Sequence, residues 1–177
     1  MNLDSIIRLS RRYGADSRYV LAGGGNTSIK QDNVMAVKAS GVSLGTIDER
    51  GFVLLSLPKL INILEAPLSS DATDPEEIVL ERLLASRLPG QTMRPSVETL
   101  LHALFPVRLV VHLHPALVNG LMCSVEALKR VPELFGEEAE VLPYTTPGYT
   151  LAERVRTLFR TRKSMGKGPI RILFLQN

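Results

Sequence analysis

The 177-residue sequence contains three histidines, and two of them stand as His112-Leu113-His114. In a strand, side chains alternate between faces, so residues two apart share a face at roughly 7 Å along the chain. Two imidazoles so placed can converge on one divalent cation, with Zn–N distances of about 2.0–2.1 Å, or can be hydrogen-bonded surface groups. One strand supplies only two ligands, so a metal here needs another from elsewhere. The third histidine, His102, follows Glu98 by four residues, and on a helix beginning near Ser96 the two share a face. A carboxylate there can serve as a general base or a ligand exchanged for substrate, or simply hydrogen-bond along the helix. The third constellation is Gly23-Gly24-Gly25-Asn26-Thr27-Ser28. Its glycines let backbone N–H groups approach an anion, which makes a phosphate cradle or, equally, a tight turn. No Gly-Lys-Ser/Thr follows it, and a strand comes next, so neither a Walker A loop nor a dinucleotide fingerprint is present. Ser40-Gly41 is a second small polar turn.

These groups need elements to hold them. Leu3, Ile6, Ile7 and Leu9 before Gly14 have helical spacing. Thr27–Lys30 and Val34–Lys38 alternate as strands, joined by a turn at Gln31, Asp32 and Asn33. Phe52–Leu55 is a third strand, Pro58–Leu64 a helix, Glu65–Pro75 a polar loop, and Pro75–Leu88 an amphipathic helix. The second half reads as a helix at Ser96–Leu104, a strand at Leu109–Leu113, and helices at Pro115–Met122 and Glu126–Phe135. A strand at Val141–Leu142, a helix at Thr150–Arg162 and an apolar strand at Ile170–Leu175 complete it. Short turns between the early strands favour a mixed or antiparallel sheet with helical layers over a βαβ array.

Length and composition fit one globular domain, with 45% hydrophobic and 22% charged residues. Five Phe, four Tyr and no Trp leave the core to aliphatic side chains. The lone Cys123 excludes an internal disulfide framework and a cysteine-built zinc finger, and its apolar setting reads as a buried structural thiol. Neither a signal peptide nor a membrane span is expected, which makes the cytoplasm the expected compartment. The net charge is +3, with acidic residues concentrated over Glu65–Glu81 and basic ones over Arg154–Arg171. No nucleic-acid motif accompanies the basic run, which reads as a solvated helix face plus a loop, with no nucleic-acid partner.

Taken in order, these pieces resemble the class II aldolase/adducin family. The resemblance rests on Gly24-Gly25-Asn26-Thr27-Ser28, Lys38-Ala39-Ser40-Gly41, Pro95-Ser96-Val97-Glu98 with His102, Val110-Val111-His112-Leu113-His114, and Pro143-Tyr144 with Pro147-Gly148 and Leu151-Ala152. GGGNTSIK with RPSVETLLHALFP is similar to a bacterial aldolase branch, some of whose members are fused to a short-chain dehydrogenase. The resemblance implies a three-layer α/β/α sandwich around a central, largely antiparallel sheet. It implies a metal-dependent lyase that cleaves a sugar phosphate or similar hydroxy-carbonyl compound through a zinc-stabilised enediolate. By the same resemblance His112 and His114 are two of three ligands to Zn²⁺ or another divalent metal, and Glu98 is the carboxylate that moves protons. Asn26, Thr27, Ser40, Gly41 and Ser96 line the phosphate or substrate oxygens, and a homo-oligomer, a tetramer in many relatives, follows. The family's third histidine lies in an Asn-His-Gly sequence after the last apolar strand and is expected beyond Asn177. The chain is therefore expected to be a single domain truncated at its C-terminus, binding zinc weakly and with little activity. Val97 stands where relatives often carry a second hydroxyl, and Tyr144 and Tyr149 are candidates for a proton donor to the aldehyde. Two other functions stay open within the family: a non-catalytic adducin-like assembly module, and epimerase, decarboxylase or dehydratase chemistry.

Overall fold

The computed structural model describes residues 1–66 and 75–176. Helix α1 spans Asp4–Gly14, with Asp4 in its first turn and Arg11 and Arg12 in its last, the arrangement that complements the helix dipole. Strands β1 (Asn26–Gln31), β2 (Val34–Lys38) and β3 (Phe52–Ser56) follow, then helices α2 (Leu57–Glu65), α3 (Pro75–Ala85) and α4 (Thr99–Leu104). Strand β4 (Leu109–His112) leads through helices α5 (Ala116–Met122) and α6 (Ala127–Phe135) to β5 (Ala139–Leu142), α7 (Tyr149–Ser164) and β6 (Ile172–Leu175).

Strands β1 to β4 form an antiparallel sheet in the order β3-β2-β1-β4. Gln31 pairs with Val34, so the β1–β2 turn closes on Asp32 and Asn33 alone, with Asp32 at φ 54, a region that Asp tolerates. Alternation then divides the apolar residues. Ile29, Ala36 and Phe52 meet Leu3 and Ile6 of α1 on one face. On the other, Met35, Val37, Val53 and Leu55 meet α2, α3, α4 and α7 through Leu60, Ile63, Leu64, Val79, Leu83, Leu100, Ala103 and Ala152. The result is a three-layer α/β/α arrangement. Strands β5 and β6 form a separate parallel pair, packed on α5 and α6 by Met122, Ala127, Val131 and Phe174. Leu142 of that pair joins Leu101, Leu151 and Val155, tying it to α4 and α7.

Four local expectations are corrected. The helix expected to reach Leu88 stops at Ala85, because Ser86 and Leu88 instead bond the backbone of β3: Ser56 N–H to Ser86 O at 2.8 Å and Leu88 N–H to Leu54 O at 3.0 Å. The helix expected from Ser96 begins at Thr99, because Pro95 bridges Ala39 and Ser96 N–H donates to Lys38 O at 3.2 Å, which keeps this stretch extended beside β2. Cys123 is exposed, since Met122 before it fills the core position at the end of α5. Arg162, read as part of a solvated face, is buried and bonds Glu140 at 2.8 Å and Glu137 O at 2.8 Å, holding α7 to β5. Most of the loop expected over Glu65–Pro75, including Asp71 and Asp74, lies outside the described residues. Among the described residues no helix is long and apolar enough to cross a membrane.

The end of α1 touches the turn Leu44–Thr46 so closely that a Cβ on Gly14 would lie 2.4 Å from Gly45 N. Backbone cannot yield as a side-chain tip can. Gly14→Ala is expected to cost about 2–3 kcal/mol in urea unfolding, the upper range for overpacking. Gly120→Ala, in α5 with nothing within 4 Å of the new methyl, is expected to raise stability by about 0.5–1 kcal/mol through helix propensity.

Candidate active site

Asn26 opposes His112 in the β1–β4 register. Asn26, Ser28 and Lys30 therefore share a face with His112, and this face looks toward α4. Two constraints fix the start of β1 against the end of β4. Gly25 has φ +69, and a Cβ there would lie 2.8 Å from the His112 carbonyl oxygen. Glycine is needed both for the backbone angle and for the close approach. Beyond β4, His114 N–H donates to Tyr19 O at 3.0 Å and Ala116 N–H to Arg18 O at 3.2 Å, which holds the chain after the strand. The His112 and His114 rings stack with centroids 4.8 Å apart and planes at 25°.

Glu98 meets these groups from the turn that precedes α4. It is the helix N-cap residue at φ −91, ψ 14, and His102 N–H bonds its carbonyl at 3.0 Å, so the two lie one turn apart and both meet the same face of β1, as the i, i+4 spacing implied. Asn26 Nδ2 donates to Glu98 Oε2, and His112 Nδ1 lies 2.8 Å from the same oxygen. The second contact is of ion-pair length without the alignment of a hydrogen bond, and among the described residues His112 Nδ1 is buried with no hydrogen-bonding partner. Burial alone raises the Glu98 pKa, but His112 and Asn26 together outweigh it and hold the carboxyl below its ordinary value. Glu98 is thus an ionised, half-buried carboxylate. Burial, followed by the His112 charge, lowers the His114 pKa against the pull of Glu98, which favours a neutral imidazole.

Under this layer His102 is fully buried and shares a hydrogen bond with Ser28 Oγ at 2.8 Å through Nδ1. Ser28, part of the Gly23–Ser28 constellation read as a phosphate cradle or a tight turn, lies two residues after Asn26 and so on the same face, under His102. Burial pushes the His102 pKa down to about 3. Lys38 lies close enough for Glu98 to raise its pKa partly against the lowering by burial, and its Nζ donates to Val42 O at 2.7 Å. Glu98, His102, His112 and His114 all line a cavity of about 950 Å³, with Tyr13 and Tyr19 on its wall.

The remaining candidates fall elsewhere. Thr27 departs from its expected substrate-binding role. It is fully buried on the α1 face, where its hydroxyl contacts Ser10 Oγ at 2.7 Å, because its position in β1 turns it away from the Asn26 face. Ser96 is buried, and its Oγ accepts from Glu98 N–H at 3.3 Å, so it shapes the turn that carries Glu98. Ser40 and Gly41 are exposed in the turn after β2, held to the Arg94 carbonyl by Ser40 N–H at 2.9 Å, with Gly41 at φ +80. Tyr144 is exposed, between Pro143 and Thr145 on the cavity wall. Tyr149 packs against the core formed by α2, α3 and α7.

The donor set of two imidazoles on one face, with a buried Nδ1 lacking a partner, suits a divalent ion of intermediate softness. It is a partial set. Among the described residues no three His, Cys, Asp or Glu side chains are grouped so as to hold a metal.

An antiparallel sheet between helical layers, with a histidine pair on its edge strand and a carboxylate facing it, defines a class that comparison with known proteins identifies. The chain belongs to the class II aldolase and adducin N-terminal domain family, whose model matches residues 4–177. It is 30% identical over 162 residues to the uncharacterized oxidoreductase YuxG of Bacillus subtilis (strain 168), a match covering 86% of this chain and 23% of that protein. The chain thus spans about a quarter of the length of this curated relative. Among solved structures, the N-terminal class II aldolase domain of a conserved protein from Thermoplasma acidophilum is 30% identical with a TM-score of 0.81, covering 100% of this chain and 81% of that one. The L-fuculose-1-phosphate aldolase of Thermus thermophilus shares the fold at 16% identity and a TM-score of 0.59, over 99% of this chain and 77% of that one.

The buried His102 sets a pH dependence. An unfolded chain protonates this imidazole near 6.5, whereas the folded one resists protonation down to about 3. Across that window the unfolded state binds the extra proton, so folding stability falls as pH drops. The lowered Glu98 pKa acts in the same direction at the acidic end. His102→Asn is expected to be less stable at pH 7 but to lose less stability between pH 6.5 and 4 in urea unfolding. Parallel pH profiles for the two proteins would contradict this account.

Proposed function

We propose that this chain is the catalytic domain of a metal-dependent lyase of the aldolase type, acting on a sugar phosphate or related hydroxy-carbonyl compound. The observation that carries the proposal is the placement of an ionised Glu98 against His112, with His114 stacked beside it. A scaffold module has no need for a half-buried carboxylate kept charged next to two imidazoles, whereas proton transfer beside an electrophilic centre does.

His112 and His114 would hold a divalent cation, Zn²⁺ in the first instance, with further donors from outside this pair. When bound, such an ion supplies a Lewis acid that polarises a carbonyl and its neighbouring hydroxyl. The protein's own groups do the rest. Glu98 accepts the proton from a substrate hydroxyl as the carbon–carbon bond breaks, and returns one to the carbon fragment. Asn26 fixes the carboxylate oxygen. Gly23 and Gly41, exposed in their turns, would offer backbone N–H groups for a phosphate, whose binding energy would hold the carbon chain in register. A homo-oligomer in the cytoplasm accords with this reading.

At saturating zinc, Glu98→Gln is expected to cut aldol cleavage by about 10²–10⁴-fold, the range for a general acid–base group, while bound zinc stays unchanged. Full cleavage in Glu98→Gln would overturn the role given to Glu98, and an unsubstituted protein that binds sugar phosphates at saturating zinc without turnover would overturn the proposal in favour of a binding or assembly module. His114→Ala is expected to weaken zinc binding at least tenfold by isothermal titration calorimetry without unfolding the chain. Product analysis by NMR separates lyase turnover from epimerisation or decarboxylation on the same site.

A further inference from the structure

We propose that Glu76 is a positioning residue for the candidate active site: its carboxylate, set at the start of α7, holds residues 143–148 in place as one wall of the cavity. The proposal rests on the reading of that cavity as the active site, but not on the role given to Glu98.

Residues 143–148 join β5 to α7 and contribute Pro143, Thr145 and Pro147 to the cavity lining, with Leu151 of α7 beside them. Little fastens this wall directly. Among the described residues the backbone of 143–147 makes no hydrogen bond to another element. Thr145 Oγ1 donates to Pro143 O at 2.9 Å and accepts from Arg154 Nη1 at 3.3 Å, so its bonds lead only to the segment itself and to α7. The placement of the wall therefore depends on how the start of α7 is fixed.

Helix α7 has no cap of its own. Its N-cap is Gly148, which has no side chain to turn back on the first N–H groups. Those groups lack intrahelical acceptors and carry the positive end of the helix dipole. Glu76 supplies the acceptor from another helix: Tyr149 N–H donates to its carboxylate, 3.1 and 3.3 Å from the two oxygens. Glu76 also stands in the first turn of α3, where a negative charge complements that helix as well. One carboxylate thus serves the N-termini of two helices.

The residue at 148 is what allows the approach. Gly148 has φ +110, and a Cβ there would lie 2.8 Å from Glu76 Oε2. Glycine is needed for the backbone angle and for the room. Beyond this turn α7 is tied to the body of the protein, since Tyr149 packs into the core and Arg156 Nη1 donates to Leu64 O at the end of α2. Glu76 therefore acts at the junction between a fixed helix and a loosely held wall. A ligand that touches the wall binds only those molecules in which the wall is in place.

The test compares the 177-residue chain with Glu76→Ala, Glu76→Gln and, as a control on the exposed side of α3, Glu81→Gln. Backbone order parameters from NMR relaxation at 144–148 are expected near the rigid value of about 0.85 in the native chain and below about 0.6 in Glu76→Ala, with β2 rigid in both. Dihydroxyacetone phosphate, a small hydroxy-carbonyl phosphate used as the probe at saturating zinc, is expected to bind Glu76→Ala about fivefold more weakly in calorimetric titration, the size of a helix-terminal charge effect. Glu76→Gln, which keeps an acceptor oxygen, should recover part of both effects, and Glu81→Gln should change neither. Native order at 144–148 in Glu76→Ala overturns the proposal, and so does a loss of order that extends to β2. If Glu76→Ala does not fold, Glu76→Gln decides, and native order at 144–148 in that variant overturns the proposal. A native chain that leaves the probe unbound counts against the cavity as an active site, and the order parameters then decide the role of Glu76 by themselves.

Discussion

The pairing of Asn26 with His112 is the constraint on which the site depends. It requires the backbone at Gly25 to pass close under the His112 carbonyl, an approach that any side chain at that position would block. From this one register the rest follows by alternation. Asn26 and Ser28 come to the α4 side, where Glu98 and His102 meet them, while Thr27 and Ile29 go to the α1 side. A slip of one residue would exchange the sets, setting Ile29 against the polar cluster and Asn26 against Leu3 and Ile6. The strong burial of Ile29 with α1 therefore stabilises the chemical face of the sheet from behind.

A second constraint acts on Glu98. A carboxylate buried to this degree would ordinarily protonate, and desolvation is indeed the largest influence on it. Its charge survives because two neighbours converge on one oxygen, Asn26 as a neutral donor and His112 as an imidazole. The turn that carries Glu98 is held at both ends, by Ser96 N–H on Lys38 O and by Thr99, whose N–H and Oγ1 donate to Ser96 O at 3.1 and 2.6 Å. The site thus rests on the sheet and on the turn that opens α4, with His102 of that helix beneath it.

Most of the strands and the shared face of His112 and His114 could be read from alternation, because a two-residue period survives in any sequence context. The four-residue spacing of Glu98 and His102 also holds, since Glu98 caps α4 and His102 N–H bonds its carbonyl. What local spacing does not show is where the helix begins, because Pro95 and Ser96 bond to β2 and delay it until Thr99. Long-range backbone pairing of this kind leaves no local mark in the sequence, and the same is true of the end of α3, where Leu88 turns from helix to sheet. Thr27 was grouped with Asn26 by adjacency, although neighbours on a strand face opposite ways. The alternation in the sequence marks a strand only from Thr27, which leaves Asn26 in the glycine turn, whereas β1 starts at Asn26 and its parity separates the two. For Cys123 and Arg162 the deciding fact was which side of a helix met the core, and in a sequence with few strongly amphipathic runs near them that side was not specified.

The hydroxyl that Thr27 turns away from the site has its own consequence. Ser10 Oγ donates to Ile6 O at 2.6 Å, so its single proton is committed and Thr27 must be the donor in their 2.7 Å contact. A buried pair of this kind contributes only about 1 kcal/mol net, but leaving either partner alone costs about 1–3 kcal/mol. It therefore acts less as a source of stability than as a penalty on any sliding of α1 along β1. Because α1 is also locked at its far end by the Gly14–Gly45 contact, the helix is pinned at two points along its length. The strand below it inherits that rigidity, and the residue adjoining Thr27 on that strand is Asn26. Positional accuracy at the Glu98 carboxylate is thus set partly by a contact on the opposite face of the sheet, where no reacting group is present.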